Sequence, residues 1–215
     1  LGMVTVQNGS TLKVDRLRFG GTGAFNDIGF DLPGVLNLNS GGTLRMRNIG
    51  NLLRPENLRA TNNFNGGKIQ VLAAETVGEG KNPLIGSNIV NNILAGGLVV
   101  DTAGFDARIM SPLINGVEGA DGGIIKLGSG NLKLAGFGST YTGPTIVSNG
   151  TLTVQVPMTC TDLRVLSGQD LNFMPDNVAR LIASLSLSTM PVVQVPRRRR
   201  TKKGYHHLGG ADSDV

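Results

Sequence analysis

The stretch Gly128–Val154, GSGNLKLAGFGSTYTGPTIVSNGTLTV, decides how the rest of the chain is read. Two short apolar alternations, Leu132 with Leu134 and Leu152 with Val154, each follow a glycine corner. Glycine tolerates positive φ and lets a chain change direction at little cost. A period of two puts each apolar pair on one face of a strand. A strand of four or five residues cannot bury that face alone. Copies stacked on one another can, with rungs roughly 4.8 Å apart.

The same cassette, a Gly or Asn-Gly corner followed by alternating apolar residues, recurs outward from this stretch. It reads NGSTLKV from Asn8, SGGTLRM from Ser40, NGGKIQV from Asn65, AGGLVVD from Ala95 and DGGIIKL from Asp121. GSGNLKL from Gly128, SNGTLTV from Ser148 and, loosely, SGQDLNF from Ser167 complete the series. Most gaps are about twenty to thirty residues, the period of a solenoid. Gly and Pro interrupt the chain too often for long helices. Pro55–Ala60 has the composition for one or two helical turns. Asp176–Leu185 places Val178, Leu181, Ile182 and Leu185 at helical spacing, although the adjoining SLSLS alternates like a strand. The expected fold class is all-β, a right-handed parallel β-helix of seven or eight rungs with a disordered basic C-terminal tail. A β-sandwich also has many short strands, but it does not require one corner cassette in one phase.

Composition agrees with a fold of small turns. The 215 residues include 32 glycines, no tryptophan and 4% aromatics, too few large side chains for an ordinary compact enzyme core. The formal charge of +5 is a property of the tail, where Arg197, Arg198, Arg199, Arg200, Lys202 and Lys203 cluster. Residues 1–195 hold fourteen Lys and Arg against thirteen Asp and Glu. That balance gives no field for steering toward nucleic acid, so no nucleic-acid partner is expected. Cys160 is the single cysteine, so no internal disulfide forms. The chain begins with Leu1 and no signal peptide precedes it, so it reads as a fragment of a longer protein.

Gly128–Val154 resembles the passenger-associated transport repeat of bacterial autotransporter proteins, also described as an autotransporter-associated β-strand repeat. The matching positions are Gly128, Gly130, Leu132, Leu134 and Gly136, then Tyr141, Thr142, Gly143, Thr145, Gly150, Thr151, Leu152 and Val154. Pro144 departs from the pattern, at a place where a corner tolerates it. The segment from Gly96 to Gly128 resembles the lead-in to this repeat, and 155–188 looks like a degraded rung. The resemblance implies a parallel β-helix exposed outside the cell, on the bacterial surface or secreted, with a structural role in export and no enzymatic activity. It also implies the organisation expected here: 1–95 as degenerate rungs with side loops, 96–154 as the repeat region, 155–195 as a further rung or cap, and 196–215 as the tail. No outer-membrane translocator barrel is expected within this chain. A host-cell or extracellular polysaccharide surface is the expected partner, with adhesion through side loops at Arg47–Phe64 and Glu75–Ala95.

Rival readings rest on particular residues. Asp101, Asp106 and Arg108 in VVDTAGFDAR have the composition of a polysaccharide-cleaving β-helix site, with Asp27 and Asp31 as a weaker pair. Aspartate beside Gly and Thr is more often a turn cap. Cys160 with His206 or His207 has the composition of a nucleophile and base, but nothing in the spacing joins them. FGGTGAF from Phe19 and VGEGKNP from Val77 lack the full phosphate-loop spacing. Asn8-Gly9-Ser10 and Asn149-Gly150-Thr151 fit the glycosylation sequon but read as corners. No cofactor and no metal are expected. The basic tail is the candidate polyanion-binding element, against a solvated end.

Overall fold

Strict alternation of inward and outward side chains builds one interior along the chain. The computed structural model describes residues 2–19, 27–30, 34–51, 60–74 and 83–173. Among them every regular element is a strand, and all nineteen pair in parallel. The basic tail and Asp176–Leu185 lie outside the described residues.

The strands fall into rungs of up to three, one on each of three faces, called A, B and C in chain order within a rung. Rung one is β1 (Gly2–Val6), β2 (Thr11–Lys13) and β3 (Arg16–Phe19), with β4 (Asp27–Phe30) beside β3. Rung two is β5 (Gly34–Asn39), β6 (Thr43–Met46) and β7 (Asn48–Asn51). Rung three is β8 (Ala60–Asn65) and β9 (Lys68–Val71), with Ile85 bridging on the third face. Rung four is β10 (Ile89–Ile93), β11 (Leu98–Asp101) and β12 (Ala107–Ile109). Rung five is β13 (Leu113–Asn115), β14 (Ile124–Leu127) and β15 (Asn131–Leu134). Rung six has β16 (Thr145–Val147) and β17 (Thr151–Val154), and rung seven β18 (Leu163–Val165) and β19 (Asp170–Phe173). Face B is a continuous seven-stranded sheet from β2 to β18. At the usual strand spacing, seven rungs span about 30 Å.

Register turns the alternation into rows of side chains running along the axis. On face C, Leu17, Ile49, Ile85, Ile109, Leu134, Val154 and Phe173 follow one another rung by rung. The first six are buried. On face A the row Val6, Leu38, Phe64, Ile93 continues the same core. One inward row of face A is polar on two consecutive rungs. Buried Asn62 donates from Nδ2 to Oδ1 of buried Asn91 at 2.8 Å, and Asn91 donates to the Pro112 carbonyl at 3.1 Å. Outside the same face, Asn63 donates to Asn37 and Asn92 to Asn63, each at 2.8 Å.

Two expectations need correction. The spans Arg47–Phe64 and Glu75–Ala95 are not simply side loops, because they contain β7, β8 and β10. The strands are needed because each rung must present backbone to its neighbours; residues 52–59 and 75–82 lie outside the described residues. Ala60, taken with Pro55 as a helical turn, opens β8 instead, in register with Ile89. β4, which belongs to no cassette of the series, lies beside β3 on the side away from β7.

Truncating one residue of an axial row tests the stacking. Ile109→Ala is expected to lower the unfolding free energy by about 2–5 kcal/mol in urea titration. A loss below about 0.5 kcal/mol would show that the row is not close-packed.

Candidate functional site

Tyr141 and the turns around it carry the sequence features that most invite a functional reading. The residues Thr140 and Tyr141 continue face A beyond β13 without forming a strand, both donating backbone N–H to the Leu113 carbonyl. The Tyr141 ring enters the core, where its side chain is 1% exposed and its hydroxyl shares a 2.9 Å hydrogen bond with Oγ1 of buried Thr145. Burial, with the neighbouring Cys160 adding to it, pushes the phenol well above its ordinary range. A phenol so held is a packing element with its one polar group satisfied. It has no route to a substrate.

The two backbone N–H groups after Tyr141 converge on one carboxylate of the preceding rung. Thr142 N–H donates to Asp121 Oδ2 at 2.8 Å, and Gly143 N–H to Oδ1 at 2.9 Å. Gly123 N–H, two residues beyond Asp121, also donates to Oδ1 at 2.8 Å. Asp121 is 5% exposed. A buried charge is tolerable here because backbone donors surround it. Gly143 must be glycine for this approach, since a Cβ there would collide with the Asp121 carbonyl and the Gly123 nitrogen.

Lys126 is the second buried ion. Register with Leu98 and Val100 turns Ile124 and Lys126 inward, so the lysine occupies a core row between Val100 and Val147. Its side chain reaches the corner that leads to face C. There four acceptors share the three N–H donors of Nζ: Thr102 Oγ1 at 3.1 Å, the carbonyls of Leu127 at 2.9 Å and Gly128 at 2.6 Å, and the Asn149 carbonyl at 2.8 Å. Thr102 belongs to rung four and Asn149 to rung six, so one ammonium ties three rungs together. Burial lowers its pKa from 10.5 to about 8, and the Asp101 charge works in the opposite direction.

The remaining repeat positions divide between core and corner. Leu132, Leu134, Leu152 and Val154 are all buried, with Leu132 in register with Ala107 and Leu152, and Leu134 with Ile109 and Val154. Thr151 pairs with Asn131. A Cβ at Gly128, Gly130, Gly136 or Gly150 would meet neighbouring backbone, respectively at Ala103, Phe105, Ser111 and Gly128.

Among the described residues, the candidate aspartates are engaged with backbone and the candidate thiol is buried. The Asp101 carboxylate accepts Ala103 N–H at 2.9 Å, supporting a residue at φ +50°, and takes the Gln70 amide at 3.1 Å. Asp106 accepts Asn131 N–H at 3.1 Å from the next rung. Both aspartates therefore cap backbone. Arg108 stands outward on β12, opposite Lys133. The thiol of Cys160 is buried near Tyr141 and Thr145, and burial raises its pKa, the reverse of what a nucleophile needs. His206, His207, Asp31 and the six tail cations lie outside the described residues, as does the side chain of Asp27. Among the described residues no group of three or more His, Cys, Asp or Glu gathers at metal-binding distance, and no helix is long and apolar enough to cross a membrane.

Residues 124–154 match the family model of the passenger-associated-transport-repeat. That segment of the chain is a passenger-associated transport repeat. The match begins at β14, so the expected lead-in from Gly96 lies mostly before it. Within the repeat lie Lys126, Tyr141 and Thr145, while Asp121 lies just ahead of it. No curated protein and no solved structure matches the chain.

Sequence reasoning missed Asp121 and Lys126 as working groups. For Lys126 the available signal was register: aligning GGIIKL with GGLVVD puts lysine under Val100.

Two measurements follow. Asp121→Ala leaves three N–H groups without their acceptor and is expected to cost about 3 kcal/mol or more of stability; an unchanged urea midpoint would refute the cage. For Lys126, the unfolded chain keeps its proton up to 10.5 while the folded chain releases it near 8. Between those values the unfolded state binds more protons at this side chain, so the Lys126 contribution to stability is expected to rise with pH. Lys126→Met should flatten that rise, and an identical slope in both proteins would contradict the assignment.

Proposed function

We propose that this chain is a non-enzymatic structural segment of an autotransporter-like passenger, supporting export and holding distal parts of the protein away from the cell. The family match over residues 124–154 carries the reading. Repeats of that family occur in surface-exposed or secreted proteins, and the exterior of a bacterial outer membrane is the location this reading assigns.

The physical basis is the one-dimensional order of the fold. Each rung bonds only to its two neighbours, so a completed rung is a template for the next. A chain emerging from a pore can add rungs in sequence, and each addition opposes backsliding. Asp121 and Lys126 suit this role because each draws donors or acceptors from the following rung as well as its own. An enzymatic reading would need free carboxylates, and Asp101 and Asp106 are engaged with backbone N–H groups.

Placed between a signal peptide and an outer-membrane translocator barrel, the chain is expected to reach the outside of the cell, where added protease digests it. Asp121→Ala should lower the exposed fraction several-fold at equal expression. Equal exposure of parent and variant would remove the role given to this rung contact. Incubated with neutral and acidic polysaccharides, the protein is expected to release no reducing or unsaturated ends. Release that disappears in the Asp101→Ala, Asp106→Ala double variant would establish the enzyme instead.

A further inference from the structure

The near-neutral balance of residues 1–195 hides an uneven distribution among the rungs. Among the described residues, those up to 74 hold six Lys and Arg against two Asp and Glu, whereas residues 83–173 hold four against six. On the outer side of face B, the first three rungs present two rows. Thr11, Thr43 and Lys68 form one, and Lys13, Arg45 and Gln70 the other. The inward neighbours Leu44 and Ile69 are fully buried, which fixes the alternation and turns Arg45 and Lys68 outward.

Lys13 stands directly opposite Arg45 in the parallel register. Like charges opposed on adjacent strands are destabilising. Neither residue, nor Lys68, has an ion-pair partner among the described residues. Gln70 separates Arg45 from the nearest acid along that row, Asp101, and donates its amide to it. The fold therefore concentrates on one strand face three cations with no ion-pair partner among the described residues, an arrangement that stability alone opposes.

We propose that this face binds an acidic polysaccharide, through Lys13, Arg45 and Lys68 with the hydroxyls of Thr11 and Thr43. Charge complementarity sets the sign of the ligand. The rest of the face sets its class. Its two rows hold no aromatic side chain on which a base would stack, and no apolar residue to enter a lipid interface. They offer instead hydroxyl and amide groups between the cations, which suit sugar hydroxyls and carboxylate or sulfate oxygens alike. Cations on successive strands lie about 5 Å apart, a spacing that an extended glycan can follow. The site is independent of the export role and of the basic tail.

The test uses the full chain and immobilised heparin, with soluble polygalacturonate as a carboxylated competitor. Lys13→Gln, Arg45→Gln and Lys68→Gln together are expected to weaken retention at least tenfold and to reduce its salt dependence. The control Lys133→Gln, Arg164→Gln should bind as the parent does. Lys13→Gln alone should weaken binding while raising the melting temperature, since it relieves the opposed charges; this single change at an exposed position also covers a triple variant that fails to fold. Retention unchanged in the cationic-face variants, or abolished by removing residues 196–215 instead, overturns the proposal. Tighter binding to duplex DNA or to phosphatidylserine vesicles than to either polysaccharide overturns it as well.

Discussion

Everything in this molecule depends on corners that can lie on corners. A parallel ladder holds neighbouring backbones near 4.8 Å, and the turns between faces must keep that spacing without the regular ladder. The chain solves this with glycine where turn backbones touch. Gly123, at φ +68°, sits so close to Pro144 of the next rung that a Cβ would overlap its carbonyl oxygen. In return Ile124 donates its N–H to that carbonyl at 2.8 Å. The scarcity of large residues follows from the same constraint, since a narrow interior has room for one side chain per row and rung.

The constraint also explains where ions are buried. Corners leave carbonyl and N–H groups that no strand satisfies, and an unsatisfied buried group is costly. Asp121 meets a cluster of donors, Lys126 a cluster of acceptors. They serve opposite ends of β14, which begins three residues after Asp121 and contains Lys126. Both buried ions thus serve backbone groups that no strand satisfies. Asp101 and Asp106 follow the same logic, which is why a carboxylate beside a glycine turn in this fold is weak evidence for catalysis.

Much of the architecture was legible because it repeats. Leu12, Leu44, Ile69 and Val100 occupy equivalent places after equivalent corners, and the structure stacks them in that order. What escaped was set by register rather than by residue type. Ile124-Ile125-Lys126-Leu127 is compatible with either phase of alternation, and hydrophobicity alone favours turning Ile125 and Leu127 inward. Backbone pairing with β11 chooses the other phase, leaving Ile125 and Leu127 partly exposed. The strands hidden in Arg47–Phe64 and Glu75–Ala95 escaped for a related reason: ATNNFN alternates Asn with Ala and Phe, and an inward asparagine disguises a core strand. Asn62 is tolerated inside only because Asn91 lies on the next rung to receive its amide.

The Lys126 contacts have a mechanical side. Rungs four, five and six are joined by strand ladders on their faces, and an ordinary core residue adds only non-directional packing between them. Lys126 adds directed bonds, to Thr102 on one side and to the Asn149 carbonyl on the other. Peeling either neighbour from rung five must therefore strip an ammonium of an oxygen inside the core, so tension along the axis meets a rivet at this corner.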